Sequence, residues 1–188
     1  MKILDCTLRD GGYYTDWHFD NELVRRLVKS LDTNVDVIEL GYKSPIKGGP
    51  YRKCNDGFIK SVVNFDVSSK LSFMIDAKDY INRHYLLEDI IKPSGIFQIC
   101  RVAVKKSEIA NSLELIERIQ DLGYEVMCNL MQTSILEGAD IKYFTDSMDK
   151  VGVDVRYVAD SYGALKPMDV ESIFENHSVQ GIHTHDNL

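Results

Sequence analysis

Residues 96–130 read IFQICRVAVKKSEIANSLELIERIQDLGYEVMCNL. Ile96 to Val102 is a short apolar run rich in β-branched residues, the pattern of a buried strand. Ser107 to Leu122 is the clearest helical stretch of the chain, and Gly123 stops it. Tyr124 to Leu130 is a second strand. Strand, helix and strand at this spacing form a unit whose strands run parallel, because the helix carries the chain back across the sheet.

The same alternation extends in both directions. Toward the N-terminus, Ile3 to Leu8, Asp36 to Leu40 and Leu71 to Ile75 read as strands. Asn21 to Leu31 is a helix with an apolar stripe at Leu23, Val24, Leu27, Val28 and Leu31. Lys43 to Gly57, with Pro45, Gly48, Gly49, Pro50 and Gly57, reads as a long loop. Phe58 to Phe65 reads as a short helix, and Asn82 to Ile91 as a weak one ended by Pro93 and Gly95. Toward the C-terminus, a helix over 140–151 ends at Gly152, Val155 to Ala159 is a strand, Pro167 opens a helix, and Val179 to His183 begins a seventh strand. Seven such repeats without a break in composition favour an α/β fold of the TIM (β/α)8 barrel type over an open doubly wound sheet. The open sheet is further weakened by the lack of a glycine-rich phosphate-binding fingerprint after any strand. A full barrel takes eight strands and about 250 residues. Residues 1–188 therefore read as a single, incomplete barrel domain of about seven strands whose C-terminal part is missing. Its two open sheet edges predict self-association into a homo-oligomer or aggregate.

A hydrophobic fraction of 44% supports one sizeable core. The formal net charge of -7 argues against nucleic acid or an anionic membrane as the main partner. No apolar run is long enough to span a bilayer, and the N-terminus lacks a secretory pattern, so a cytoplasmic protein is expected. Cys6, Cys54, Cys100 and Cys128 form no C-x-x-C pair, which argues against a structural zinc site. Cys6, Cys100 and Cys128 lie in strand-like runs and read as buried reduced thiols. Cys54 sits in a polar stretch that suggests no role.

Barrel enzymes gather their chemistry at the C-terminal ends of the strands. There this chain places Thr7-Leu8-Arg9-Asp10-Gly11-Gly12, then Glu39, Asp76, Arg101, Asn129 with Gln132, Asp160-Ser161-Tyr162, and finally His183-Thr184-His185-Asp186-Asn187. Solvated loop polarity explains any one of these. It explains poorly why Glu39, Arg101 and Asp160 interrupt or abut apolar runs. His183 and His185, two apart on a strand, point to one side, and two imidazoles on one face suit a divalent metal. Asp10 supplies a carboxylate at the first strand, which neighbours the seventh once a barrel is nearly closed. Arg9 is a cation beside it, suited to an enolate or a carboxylate. Gly11 and Gly12 let a ligand approach the backbone.

Thr7-Leu8-Arg9-Asp10-Gly11-Gly12 together with His183-x-His185-x-Asn187 resembles the DRE-TIM metallolyase superfamily, with supporting matches at Glu39-Leu40-Gly41, Arg101 and Asp160-Ser161-x-Gly163. That group includes hydroxymethylglutaryl-CoA lyase, the isopropylmalate and homocitrate synthases and the carboxyltransferase domain of pyruvate carboxylase. The opening motif and Asp160-Ser161-Tyr162-Gly163-Ala164 look most like its 4-hydroxy-2-oxovalerate aldolase branch. The resemblance implies a divalent ion (manganese, magnesium or zinc) on Asp10, His183 and His185. It implies an enolate-stabilising role for Arg9, while the strand-end reading adds Glu39, Arg101, Asn129, Asp160, Ser161 and Asn187 as a substrate-facing set. The chain departs from that branch in one place: a histidine base that follows the motif is here replaced by Tyr13. A phenol with a pKa near 10 is a poor base at neutral pH, so Tyr14 and His18 stand beside it as candidates.

The reaction these residues imply is metal-assisted cleavage, or formation, of a C–C bond in a small 2-keto-4-hydroxy acid through a pyruvate-like enolate. Two rivals remain open at this level. One is a Claisen-type acyl-CoA synthase or lyase of the same superfamily. The other is a non-catalytic relative that kept the metal site and lost the base.

Overall fold

A computed structural model describes residues 1–81 and 84–185. Its strands are β1 (Leu4–Asp5), β2 (Val37–Tyr42), β3 (Lys70–Asp76), β4 (Ile99–Val104), β5 (Glu125–Leu130), β6 (Val155–Ala159) and β7 (Gly181–His183). They form one seven-stranded sheet in the order β1 to β7, and every pairing is parallel. The helices are α1 (Thr7–Thr15), α2 (Asn21–Leu31), α3 (Pro50–Lys53), α4 (Asp56–Val62), α5 (His84–Ile90), α6 (Ile109–Asp121), α7 (Gly138–Val151) and α8 (Pro167–Asn176). The sheet curls far enough that Asp10, just after β1, lies 3.4 Å from His183 at the end of β7. This is the incomplete barrel that the alternation implies.

Residue parity divides each strand between two environments. Ile38, Leu40, Phe73, Ile75, Cys100, Val102, Val126, Cys128, Leu130 and Val158 join the apolar core beneath the helices. The intervening positions are in register across the sheet: Glu39 with Ser72, Met74 with Arg101, Asn129 with Tyr157, and Ala159 with His183. These line the barrel interior. The polar residues that break the apolar runs thus fall on one side of the sheet.

Three local readings need correction. The first strand ends at Asp5 rather than Leu8. There the Asp5 carboxylate accepts from the backbone N–H and the hydroxyl of Thr7, at 3.1 and 2.9 Å, and the chain turns into α1. The Arg9 to Tyr14 segment is therefore helical, not a strand end or loop. The stretch over 43–57 is not all loop, since α3 lies inside it and Asn55 caps α4 by accepting from the N–H groups of Gly57 and Phe58. Finally, Cys54 is fully buried, with its thiol donating to the Tyr51 carbonyl at 3.2 Å. It lies under the bulge of β2, where a Cβ on Gly41 would meet the Tyr51 oxygen at 2.0 Å.

Candidate metal and active site

The site grows from the first turn of α1. Cys6 precedes the helix and Asp10 lies one turn on, with the Asp10 N–H donating to the Cys6 carbonyl at 2.9 Å. Helical spacing of four places the two side chains together, and the Cys6 thiol donates to Asp10 Oδ2 at 3.2 Å. From β7, His183 Nε2 stands 3.4 Å from the same oxygen and 3.8 Å from Cys6 Sγ. One donor atom each from Cys6, Asp10 and His183 thus falls within a 4.8 Å cluster.

Beneath it lies a buried charge network. Glu39, fully buried, accepts through Oε1 from Arg9 Nε at 2.9 Å and from an Arg101 terminal nitrogen at 2.6 Å. Arg9 also pairs with Asp10, and Arg101 donates through Nε to the Tyr157 hydroxyl. Burial works against both guanidinium charges, and Glu39 overcomes it and raises both pKa values. The remaining nitrogens of Arg9 and Arg101 lie 3.3 and 3.5 Å from His183 Nδ1. Both are obligate donors, so the neutral ring accepts at Nδ1 and carries its proton on Nε2, toward Asp10. Burial and the two arginines lower the His183 pKa against the pull of Asp10. Burial also opposes ionisation of Asp10, but the His183 hydrogen bond and Arg9 prevail and hold its carboxyl down at about 2. Burial pushes the Cys6 thiol up to about 12. Glu39 Oε2, Ser72 Oγ and Asn129 Oδ1 are buried in the barrel interior without a hydrogen-bond partner among the described residues. Orphaned polar atoms of this kind mark where water or a polar ligand sits.

The structure brings together some of the expected residues and separates others. Arg9, Asp10, Glu39, Arg101 and His183 converge. His185 stacks on His183, with ring centroids 4.6 Å apart, and Nδ1 donates to the Asp160 carbonyl at 3.0 Å. That bond leaves Nε2 with the lone pair a metal requires. Both carboxylate oxygens of Asp160 are taken by the N–H groups of Ala164 and Leu165, at 3.0 and 2.9 Å, so this side chain builds the loop after β6. Ser161 Oγ accepts from the Gln132 N–H at 2.9 Å and ties that loop to the one after β5. Asn129 is buried within the barrel. Tyr13 reaches back to donate to, or accept from, the Tyr42 hydroxyl at 2.9 Å. Tyr14 and His18 are exposed, and Asn187 lies outside the described residues. Gly12 accommodates Trp17, whose Nε1 a Cβ there would meet at 2.1 Å, rather than a ligand.

Three site residues escape a reading of the sequence: Cys6, Tyr42 and Tyr157. The signal for Cys6 was its spacing of four from Asp10, visible only once 7–15 is known to be helical. Tyr157 is marked by strand parity, whereas Tyr42 joins that face only through the bulge of β2 after Glu39.

No family profile matches the chain. It is 26% identical to the oxaloacetate decarboxylase of Mycobacterium tuberculosis over 99% of this chain and 57% of that protein. It is 28% identical to a 4-hydroxy-2-oxovalerate aldolase of Geobacillus genomosp. 3 over 100% of this chain and 58% of that protein. The chain thus spans less than two thirds of these relatives. Among solved structures, the N-terminal domain of a candidate aldolase from Bacteroides vulgatus superposes with a TM-score of 0.82 at 29% identity, covering 100% of this chain and 65% of that one. The HMG-CoA lyase of Bacillus subtilis shares the fold with a TM-score of 0.67 at 14% identity, over 93% of this chain and 62% of that one. No helix among the described residues is long and apolar enough to cross a membrane. The chain is therefore similar over its whole length to these aldolases and this decarboxylase, and its seven-stranded parallel arc brings together Arg9, Asp10 and His183, from the motifs that resemble the DRE-TIM metallolyases.

Proposed function

We propose that this chain carries the metal and enolate end of a carbon–carbon lyase acting on a small 2-oxo acid, with a divalent ion held by Asp10, His183 and His185. The observation that supports it is the joining of a carboxylate–imidazole pair, 3.4 Å apart, to two buried guanidiniums at 3.3 and 3.5 Å from the same imidazole. The donor chemistry fits: Asp10 stays ionised, His183 stays neutral, and metals bind those forms. An ion at His183 Nε2 needs the ring proton on Nδ1 instead, so the two arginine nitrogens must withdraw from it. Both contacts are already long. A bound divalent ion supplies Lewis-acid polarisation of a carbonyl oxygen.

The chain's own residues supply the rest. Glu39 fixes Arg9 and Arg101 side by side, so their charge is in place before the reaction and needs no reorganisation. Arg9 and Arg101 neutralise the oxygen that turns negative as the C–C bond breaks. The relatives named 4-hydroxy-2-oxovalerate aldolase and oxaloacetate decarboxylase share this requirement, since each reaction leaves a pyruvate enolate. The two differ in their need for a base. Aldol cleavage must remove the 4-hydroxyl proton, whereas decarboxylation loses carbon dioxide and then only protonates the enolate carbon. Burial pushes the Tyr42 phenol up, against the nearby Arg9. At neutral pH the Tyr42 hydroxyl therefore keeps its proton and suits donation better than abstraction. This favours oxaloacetate as the first substrate to try, with a 4-hydroxy-2-oxo acid as the second.

The test is pyruvate release from each acid by the manganese-loaded chain, with Arg9→Ala beside it. Loss of one preorganised oxyanion partner costs about 10²–10³ in turnover. Equal rates for the two proteins, once the rate with free manganese is subtracted, would refute the reading. Metal binding without turnover of either acid would favour a relative that only binds.

A further inference from the structure

Cys6 lies closer to Asp10 than His183 does, at 3.2 against 3.4 Å, and the three-atom cluster it completes has the dimensions of a coordination face. With Zn–S near 2.3 Å and Zn–N or Zn–O near 2.0–2.2 Å, a tetrahedral ion sets ligand-to-ligand edges of roughly 3.3–3.6 Å. The observed edges are 3.2 Å from Cys6 Sγ to Asp10 Oδ2, 3.4 Å from Asp10 Oδ2 to His183 Nε2, and 3.8 Å from His183 Nε2 to Cys6 Sγ. We propose that Cys6 is itself a metal ligand, joining Asp10 and His183, and that its sulfur biases the site toward zinc over magnesium and manganese. This rests on the reading that the Asp10–His183 pair holds an ion.

The positions of the three donors follow from the backbone. Cys6, at the N-cap of α1, is one turn from Asp10 in its first turn, so one end of the helix presents both, and the curl of the sheet brings His183 to them. A carboxylate with imidazoles alone is a donor set that manganese accepts alongside zinc. Replacing one oxygen or nitrogen donor with a thiolate changes the preference, because soft sulfur favours zinc and disfavours the hard ions. On coordination the thiol proton, now shared with Asp10, leaves to solvent and the sulfur binds as thiolate. No oxidation or group transfer is involved. One further tetrahedral position would remain for His185 or a substrate oxygen, and expansion to five-coordination would admit both.

The other cysteines make the test clean. Cys54, Cys100 and Cys128 are fully buried in the apolar core. A sulfur signal from a bound ion therefore reports Cys6. The experiment loads the chelator-stripped chain with one equivalent of cobalt(II), the spectroscopic stand-in for zinc, and records the near-ultraviolet sulfur-to-cobalt charge-transfer band. It is repeated with Cys6→Ser, whose thermal unfolding checks that it remains folded, and with Cys6→Ala as the second variant. Competition titrations with zinc and manganese accompany both. The expected result is a band in the parent chain that is absent in both variants while cobalt still binds. Zinc affinity falls by at least ~10-fold, the lower end for losing even an indirect support of a ligand, and manganese affinity changes far less. Stoichiometric cobalt binding without the band, or a band that survives Cys6→Ser, overturns the role of Cys6 and leaves the Asp10–His183 reading standing. No binding of cobalt or zinc to the folded parent chain overturns both.

Discussion

Glu39 shows how one residue sets the character of the site. It is fully buried, and two guanidiniums share its Oε1. Without its charge, among the described residues Arg9 keeps only Asp10 as an anionic partner and Arg101 is left with the Tyr157 hydroxyl. Breaking a buried pair from one side costs about 3–5 kcal/mol, because the remaining charge has lost both water and partner. Glu39→Gln keeps the shape and an acceptor oxygen but not the charge, so urea unfolding at neutral pH should show a loss of that order. A loss under about 1 kcal/mol, the value of an exposed pair, would mean that water reaches the guanidiniums. The sequence marks Glu39 by its place in an apolar strand, yet as a residue facing substrate. The structure shows it holding the arginines. A charge in an apolar run announces that it has a partner, without saying which.

At the scale of elements, α1 is where sequence and structure part. Its stretch TLRDGGYYT carries two glycines and two β-branched threonines, all weak helix formers. Local preference therefore extends the strand reading through Leu8, and tertiary packing makes the segment a helix. Gly12 is the contact point, packed under the buried Trp17, whose Nε1 donates to the Arg9 carbonyl at 3.2 Å. Gly11 is different: a Cβ there would meet only the Phe19 ring, at 3.8 Å. The adjacent substitutions should thus act in opposite senses. Gly12→Ala forces Trp17 away and costs about 1–3 kcal/mol, with activity lost as Arg9 shifts. Gly11→Ala gains up to about 1 kcal/mol of helix propensity. Thermal unfolding of the two variants decides it, and equal shifts would refute the assigned packing. This is also why Cys6 was illegible as a site residue. In a strand a residue four positions on lies about 13 Å away, and only a helix brings the two side chains within contact distance. By contrast, the parallel strand order, α2 and the pairing of Asp10 with His183 were readable, because periodicity and motif state them directly.

The whole molecule carries two further consequences. Burial pushes up the thiols of Cys54, Cys100 and Cys128 and the phenols of Tyr80 and Tyr157. In an unfolded chain these groups release their protons near pH 8.5 and pH 10 respectively, about the model-peptide values. Above those values the folded chain holds more protons than the unfolded one, so stability is full below about pH 8 and falls as pH rises toward the folded values. Unfolding midpoints measured between neutral and alkaline pH should decline in that window, and a flat profile would contradict the burial of these groups. The second consequence concerns the open side of the barrel. The strands at the two ends of the sheet are short, two residues in β1 and three in β7, and no strand pairing joins them among the described residues. What links them is the site itself, through Asp10 and Cys6 on one side and His183 on the other. An ion bound there ties together the edges that open most easily. Zinc at 100 times its dissociation constant should stabilise the fold by about 2.7 kcal/mol. If the ion bridges the edges, amide exchange should slow most at residues 4–5 and 181–183, where local opening governs it, and less in the central β4–β5 pair, whose protection already approaches the global limit. A chelator should reverse both effects. Protection that rises equally everywhere would show that the ion stabilises the chain without bridging its two edges.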